Sequence, residues 1–166
     1  MDWWDAQLSE YSALPHWKPF PALWDETARE LGEPPGDYPL WLLATRSMQY
    51  AWGSTVSLPL MADVAANVST HFGVVVNQDT ARELGIADGD ELWIESALTR
   101  TKGRAVLKQG IRPDVVLTTQ QFGHWVTPFA KDLQTPNLNR LVKLSLALTD
   151  ATGSGADLVK VRIYKA

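Results

Sequence analysis

The chain has 166 residues, a net charge of −4, 45% hydrophobic residues and no cysteine. This length supports one domain with a buried core, and the apolar fraction is typical of a globular protein. The absence of cysteine excludes disulfides, cysteine-ligated zinc and iron–sulfur clusters within this chain. With no cluster of Lys or Arg and no run of about 18 apolar residues, we expect neither nucleic-acid binding nor membrane insertion.

Residues 1–37 differ from the rest because five prolines divide them into short pieces. Helical turns are predicted at Trp4–Tyr11 and Pro21–Leu31, and in the second Trp24 and Ala28 lie on one face. We interpret residues 1–37 as an irregular arm that links to a preceding catalytic domain. In an isolated domain this arm is expected to be poorly packed. Residues 38–166 are predicted to form the barrel domain.

From Tyr38 onward, short apolar runs alternate with turn residues, which is typical of buried strands. Asn77 can cap a following helix, and Gly85 stands where a left-handed helix end belongs. Two long connections, 46–57 and 120–139, have the length and polarity of functional loops. The pattern favours a closed or nearly closed β-barrel with small helical insertions. Strands are predicted at Leu40–Ala44, Gly73–Val76, Glu91–Ala97, Gly103–Lys108, Val115–Thr119 and Val159–Tyr164, and a helix near Leu58–Asn67.

The sequence contains no pattern typical of a catalytic or metal site. The three histidines, His16, His71 and His124, lack the spacing of metal ligands, and no nucleophile elbow is present. The Gly153–Gly155 fragment has no predicted strand directly before it and no helix after it, so it fails as a phosphate-binding loop. We therefore assign no catalytic residue and no metal ligand to this chain.

Two polar segments, one at a strand end and one in a loop, contain residues that the barrel fold itself does not require. Thr45–Ser47 follows the first predicted strand, and its arginine can hold a phosphate through two hydrogen bonds. A simple surface arginine is the alternative interpretation. In Gly123–Trp125 the glycine permits close approach, the histidine offers a donor, and the tryptophan can cover a flat heterocycle. Here the alternative is a loop anchored by a buried tryptophan.

Two asparagines, Asn137 and Asn139, flank Leu138. An asparagine side chain combines a donor and an acceptor, so it can pair with the amide-like edge of a pterin or guanine ring. Ordinary turn chemistry explains the same residues equally well.

Several motifs occur in an order that resembles one family. They are YPLWLLATR (38–46), NQDTARELGIADGDELWIES (77–96), GIRPDVV (110–116), GHW (123–125), NLN (137–139) and Asp150 with Thr152-Gly153. From Tyr38 onward the chain is similar to the C-terminal domain of the dimethyl-sulfoxide-reductase superfamily of molybdopterin oxidoreductases. Residues 77–96 and 110–116 carry most of the resemblance. The segment 44–54 looks nearest to the branch that oxidises phenylacetyl-coenzyme A.

The resemblance implies a mainly β fold, a six-stranded double-psi β-barrel. It also implies one wall of the site for bis(molybdopterin guanine dinucleotide), which carries Mo or W in the full enzyme. The loop after the first strand would contact one dinucleotide, and the loop at 120–125 would approach the pterins. The implied cofactor-binding residues are Thr45, Arg46, Ser47, Gln49, Trp52, Ser54, Gln120, Gln121, His124, Trp125 and Asn139.

In the family, the metal ligand comes from an earlier domain, so the preceding domains are implied partners. An iron–sulfur electron-transfer subunit is a second partner that the resemblance implies. The chain would then be a fragment that binds no cofactor and catalyses nothing alone. One departure is that Thr45 and Arg46 are adjacent, whereas many relatives place a residue between them. The alternative function is a double-psi adaptor module without a redox role, which would share residues 77–96. The loops with Arg46, His124 and Asn139 favour the cofactor site, and nothing supports a stand-alone hydrolase.

Overall fold

The computed structural model describes residues 5, 17, 19–47, 50, 55, 58–67, 73–119, 123, 135–143 and 158–166. The predicted strands and the second and third predicted helices are confirmed, with ends that shift by a few residues. The predicted turn at Trp4–Tyr11 lies outside the described residues, apart from Asp5. The elements are α1 (Phe20–Glu30), β1 (Leu40–Thr45), α2 (Pro59–Ala66), β2 (Val74–Asn77), α3 (Gln78–Glu83), β3 (Glu91–Glu95), β4 (Arg100–Lys108), β5 (Val115–Thr119) and β6 (Leu158–Lys165), with 3-10 turns at Pro35–Asp37 and Leu138–Arg140.

The six strands form a closed barrel in the order β1-β5-β2-β4-β3-β6. The pairs β1/β5 and β2/β4 are parallel, and the other neighbours are antiparallel. Strand β5 lies between β1 and β2, while β2 lies between β4 and β5. Each half of the chain therefore inserts one strand into the other half. This reciprocal crossing is the double-psi topology, so the predicted fold class is confirmed.

The register gives the barrel two chemically distinct ends. At one end, which we call the loop mouth, β1, β3 and β5 finish and β2, β4 and β6 begin. The connections 46–73 and 120–157 and the 96–99 hairpin belong to this end. At the opposite end, the turn mouth, β2 and β4 are followed by the shorter connections 78–90 and 109–114. The two long predicted loops therefore both open at the loop mouth.

The barrel interior is filled by aliphatic side chains that alternate with outward-facing residues along each strand. Leu42, Val74, Leu92, Val116 and Val161 are each at most 1% exposed. In β4 the inward positions near the loop mouth are small, because Thr101, Gly103 and Ala105 alternate with exposed residues. These small residues leave space for another segment of the chain to enter the barrel there.

Helix α1 packs against the barrel as part of the core. Trp24 and Ala28 are only 4% and 3% exposed, and Trp24 belongs to the same hydrophobic cluster as the barrel strands. Lys160 pairs with Asp25 at 2.7 Å, and Lys143 also pairs with Glu30. The expectation of a poorly packed arm is therefore wrong for Phe20–Glu30. The sequence showed the apolar face of this helix but not the surface that covers it.

The turn mouth is closed by side chains that bind backbone groups. The Asn77 Oδ1 accepts from the N–H groups of Asp79 and Thr80, which caps α3 as predicted, and its Nδ2 donates to the Ile111 carbonyl at 2.7 Å. The Thr80 hydroxyl donates to the Pro113 carbonyl at 2.7 Å. Residues 77–96 and 110–116, which carry most of the family resemblance, are thus bonded to each other. We infer that the similarity of these two segments to the family reflects the fold, because their bonds close this end of the barrel.

Among the described residues, no helix has both the length and the apolar character needed to cross a bilayer.

Candidate functional site

The ends of β1 and β5 lie side by side at the loop mouth. The two strands are parallel, and Thr45 is in register with Thr119. The Thr45 hydroxyl donates to the Thr118 carbonyl at 3.2 Å, which ties the two strand ends together. The connections that start at Arg46 and at residue 120 therefore leave the barrel from adjacent points. This is the arrangement needed if both loops are to contact one ligand.

Arg46 and Ser47 extend from this strand end. Arg46 is exposed, and within the described part of the chain no carboxylate pairs with it. By contrast, Arg82, Arg112 and Arg162 each form an ion pair. A guanidinium that pairs with none of the described residues has donors available for a phosphate. Further along the same connection, Tyr50 is 1% exposed, and burial raises the pKa of its phenol above 10.0.

Gly123 is fixed by side chains from a second segment of the β5–β6 connection. Its N–H donates to the Thr135 Oγ1 at 2.9 Å, and its carbonyl accepts from the Asn137 Nδ2 at 3.2 Å. The Asn137 N–H in turn donates to the Thr101 Oγ1 on β4 at 3.0 Å. We call these four residues, Thr101, Gly123, Thr135 and Asn137, the Gly123 clamp.

The clamp requires glycine at position 123. Its φ is +78°, in the left-handed region, and a Cβ there would lie 2.5 Å from the Asn137 backbone nitrogen. A glycine at this position is predicted to allow close approach, and the structure shows that the approaching group is the backbone of Asn137. On the other side, Pro136 packs against Gly103, where a Cβ would lie 3.2 Å from the proline ring.

Asn139 and Arg140 follow the clamp and are both exposed. Among the described residues, no side-chain hydrogen bond or ion pair involves either of them. The sequence marks both Asn137 and Asn139 as candidates, and the family resemblance implies only Asn139 as a site residue, but in the structure it is Asn137 that joins the two segments. Sequence reasoning missed Arg140 as a possible phosphate ligand. The only signal for Arg140 was its position directly after the NLN motif.

The structure thus places four of the predicted site residues, Thr45, Arg46, Ser47 and Asn139. Thr45, Arg46 and Ser47 lie at the end of β1. Asn139 lies two residues after Asn137, whose N–H binds Thr101 on β4. The remaining predicted residues lie outside the described part of the chain: Gln49, Trp52, Ser54, Gln120, Gln121, His124 and Trp125.

The described loop-mouth side chains form a donor-rich set. Arg46 and Arg140 offer guanidinium groups and Asn139 offers an amide, while the Thr45 hydroxyl already donates to the Thr118 carbonyl. Such groups fit a ligand with phosphates and flat, amide-edged rings. No group of three or more His, Asp or Glu that could hold a metal ion was found among the described residues. A dinucleotide therefore fits the residues present on the basis of their hydrogen-bonding chemistry.

Comparison with known proteins agrees with this chemistry. The profile of the molydopterin dinucleotide binding domain family matches residues 40–156. The chain therefore belongs to this family of cofactor-binding domains. This membership favours the cofactor-binding interpretation over the adaptor module.

The chain is also similar to individual proteins. It is 38% identical over 71 residues to the thiosulfate reductase molybdopterin-containing subunit PhsA of Salmonella typhimurium, a match that covers 43% of this chain and 9% of that subunit. Acetylene hydratase from Pelobacter acetylenicus has the same fold, with a TM-score of 0.61 and 16% identity over 87% of this chain and 23% of that one. The chain therefore spans a small part of these larger proteins.

Proposed function

We propose that this chain forms one wall of a bis(molybdopterin guanine dinucleotide) site in a molybdenum or tungsten oxidoreductase. One observation supports this most strongly. The parallel register of β1 and β5, with Thr45 beside Thr119, brings the two polar connections to the same mouth of the barrel. A rigid barrel that presents adjacent loops is suited to hold a large cofactor in a fixed orientation.

Each group has a role that follows from its chemistry. Arg46 and Arg140 bind phosphate oxygens, and Thr45 and Ser47 form the strand end from which Arg46 extends. Asn139 pairs with the edge of a pterin or guanine ring. Residues assigned from the family resemblance complete the site: Gln49, Trp52 and Ser54 on the first loop, and Gln120, Gln121, His124 and Trp125 on the second.

The bound cofactor supplies the redox chemistry of the metal. The chain's own residues bind and orient the dinucleotide and exclude water from it, so they contribute position and electrostatics. Catalytic and metal-ligating groups come from other parts of the enzyme. The isolated chain is then expected to be inactive, with no cofactor bound.

Helix α2 provides a surface for other domains of the same enzyme. Leu60 and Val64 lie one turn apart and are 73% and 47% exposed, and Leu58 just before the helix is 49% exposed. Helix α2 lies within the connection between β1 and β2, which leaves and re-enters the barrel at the loop mouth. Clustered exposed apolar residues mark protein contacts. The preceding domains are the proposed partner, and an iron–sulfur subunit is a further partner of the whole enzyme.

The complete enzyme that carries this chain tests the cofactor site. Purified wild-type enzyme is assayed for Mo and W by mass spectrometry and for released guanine nucleotide by chromatography. Loss of a charge-assisted phosphate contact costs about 1.5–3 kcal/mol, so Arg46→Ala is expected to lower cofactor retention roughly 10- to 100-fold. Arg104→Ala is the matched control, because Arg104 is exposed on the outer face of β4. Equal metal and nucleotide content in both variants would contradict the site assignment.

The substrate class is tested on the same enzyme. Residues 44–54 resemble the branch that oxidises phenylacetyl-coenzyme A, so the proposed substrate is an acyl-coenzyme A of this kind. Turnover is measured with an artificial electron acceptor, with thiosulfate as the comparison substrate. Turnover of thiosulfate alone would reject this branch while leaving the cofactor site intact.

A further inference from the structure

The Gly123 clamp is built from uncharged side chains that bind backbone groups. Thr135 and Thr101 are both only 8% exposed, and each hydroxyl accepts one backbone N–H. The Asn137 side chain satisfies the Gly123 carbonyl. Both polar groups of the Gly123 backbone are thus bonded by side chains from residues 135–137. A peptide held at both its donor and its acceptor has little freedom to rotate.

The clamp is also anchored to the rigid part of the barrel. Thr101 belongs to β4, which pairs with both β2 and β3. Four residues after Asn137, the Leu141 carbonyl accepts a hydrogen bond from the Ser96 Oγ in the β3–β4 hairpin at 2.8 Å. Pro136 fits against Gly103, where any side chain would collide with Val74 or with the proline. The position of Gly123 is therefore set by the barrel itself.

Gly123 directly precedes His124 and Trp125 in the sequence. We propose that Thr135 and Asn137 are positioning residues for the cofactor site: they fix the backbone of Gly123, which directly precedes two residues assigned to the dinucleotide by the family resemblance. This inference rests on the proposed function of the loop that contains those two residues. Binding groups placed by a locked supporting shell lose less freedom when the ligand binds, so they hold it longer.

The clamp can be tested against a matched threonine at the turn mouth. Thr80 is 9% exposed and its hydroxyl also bonds to a backbone group, the Pro113 carbonyl. Three variants of the complete enzyme are compared: Thr135→Val, Thr135→Ser and Thr80→Val. For each, the unfolding midpoint and the rate of release of the metal and guanine nucleotide are measured.

Thr135→Val and Thr80→Val are expected to lower the unfolding midpoint by similar amounts, since each leaves one buried backbone group without its partner. Only Thr135→Val is expected to release the cofactor faster, by roughly tenfold. Thr135→Ser keeps the hydroxyl and should restore slow release. If Thr135→Val does not fold, Asn137→Ala is the milder change, because it removes only the side-chain bond to the Gly123 carbonyl.

Equal release rates in Thr135→Val and Thr80→Val would overturn the positioning role while leaving the proposed function intact. The same conclusion follows if Asn137→Ala releases cofactor at the wild-type rate. A wild-type enzyme that contains no dinucleotide would instead overturn the proposed function, and the positioning role with it. Measurement of the wild-type content therefore separates the two failures.

Discussion

The two mouths of the barrel differ in what holds them together. At the turn mouth, Asn77 and Thr80 bind the backbone of the 109–114 turn, and the Asp88 and Asp90 carboxylates accept backbone N–H groups from Leu107 and Ala87. At the loop mouth, the described side-chain bonds to the backbone come from threonine and serine hydroxyls and an asparagine amide. The arginines there, Arg46 and Arg140, form no ion pair with the described residues.

This difference suggests that the polar side chains of the turn mouth contribute to stability, whereas we propose that those of the loop mouth also contribute to binding. The turn mouth uses its polar side chains internally, so substitutions there should affect folding alone. The loop mouth has exposed donors that we propose bind the cofactor, and the Gly123 clamp fixes the backbone of Gly123 at the same mouth. Substitutions at the loop mouth should therefore divide into two kinds, those that weaken folding and binding together and those that weaken binding alone.

The largest expected effect is at a glycine of the loop mouth. Gly123→Ala forces a side chain into the left-handed region and against the Asn137 backbone, which should cost roughly 2–5 kcal/mol in the free energy of unfolding. Gly89→Ala at the turn mouth is the matched control, because its φ is +82° but nothing lies within 4 Å of the added Cβ. Its cost should be about 1–2 kcal/mol. Denaturant unfolding measures both, and equal costs would show that the clamp tolerates a Cβ.

At the turn mouth, Asn77→Ala removes the cap of α3 and the bond to the Ile111 carbonyl. The expected loss is about 1–3 kcal/mol of unfolding free energy, because a buried carbonyl and helix N–H groups lose their partners. Cofactor retention in the complete enzyme should not change. Asn67→Ala provides the control, since Asn67 is exposed and, among the described residues, its side chain bonds only to the Asp63 carbonyl of α2. A cofactor deficit in Asn77→Ala would show that the two mouths are coupled.

A smaller effect is expected from the apolar face of α2. Leu60→Ser should leave the unfolding free energy of the 166-residue chain within about 0.5 kcal/mol, since the side chain is 73% exposed. In the complete enzyme the same change should lower the unfolding midpoint, because a buried leucine contact would be lost. Leu84→Ser at the turn mouth, where Leu84 is 47% exposed, is the control. An enzyme equally tolerant of both changes would remove α2 from the domain interface.

The smallest effect is a response to acid that should distinguish the mouths. A hydrogen bond from Lys165 and another from the Ala87 N–H lower the pKa of Asp90 below 3.8. Because the folded pKa is depressed, the contribution of Asp90 to stability is present above about pH 4 and is lost as the pH falls through the folded pKa. The clamp residues do not titrate in this range. Hydrogen exchange, corrected for intrinsic rates, should show that the Ala87 amide loses protection at a higher pH than the amides of Gly123 and Asn137. The Asp90→Asn variant should remove that difference.

Local patterns predicted most of the secondary structure. The apolar runs predicted β1, β2, β5 and β6, and Asn77 and Gly85 marked the ends of α3 because capping and a positive φ depend on a few adjacent residues. The start of β4 was missed: the prediction began at Gly103, whereas the strand begins at Arg100. Its first inward residues are Thr101 and Gly103, which are small and carry little apolar signal.

For the candidate site, the sequence supplied residue types and strand ends but not partners. Arg46 was identifiable because it follows an apolar strand, whereas the choice between Asn137 and Asn139 was not, since each is an asparagine beside Leu138. The bond from Asn137 to Gly123 joins residues 14 positions apart, and the bond to Thr101 spans 36 positions. No local pattern contains such contacts.

By itself, the sequence determined the strands, the caps, the polar loops and, through its motifs, the resemblance to a cofactor-binding domain. These features depend on short-range chemistry, namely side-chain alternation, helix capping and backbone preference. The tertiary structure alone decided that Thr45 lies beside Thr119, that α1 completes the core and that Gly123 is held by Thr135 and Asn137. Those contacts arise only when barrel closure brings distant segments together, because their geometry depends on the register of strands far apart in the chain.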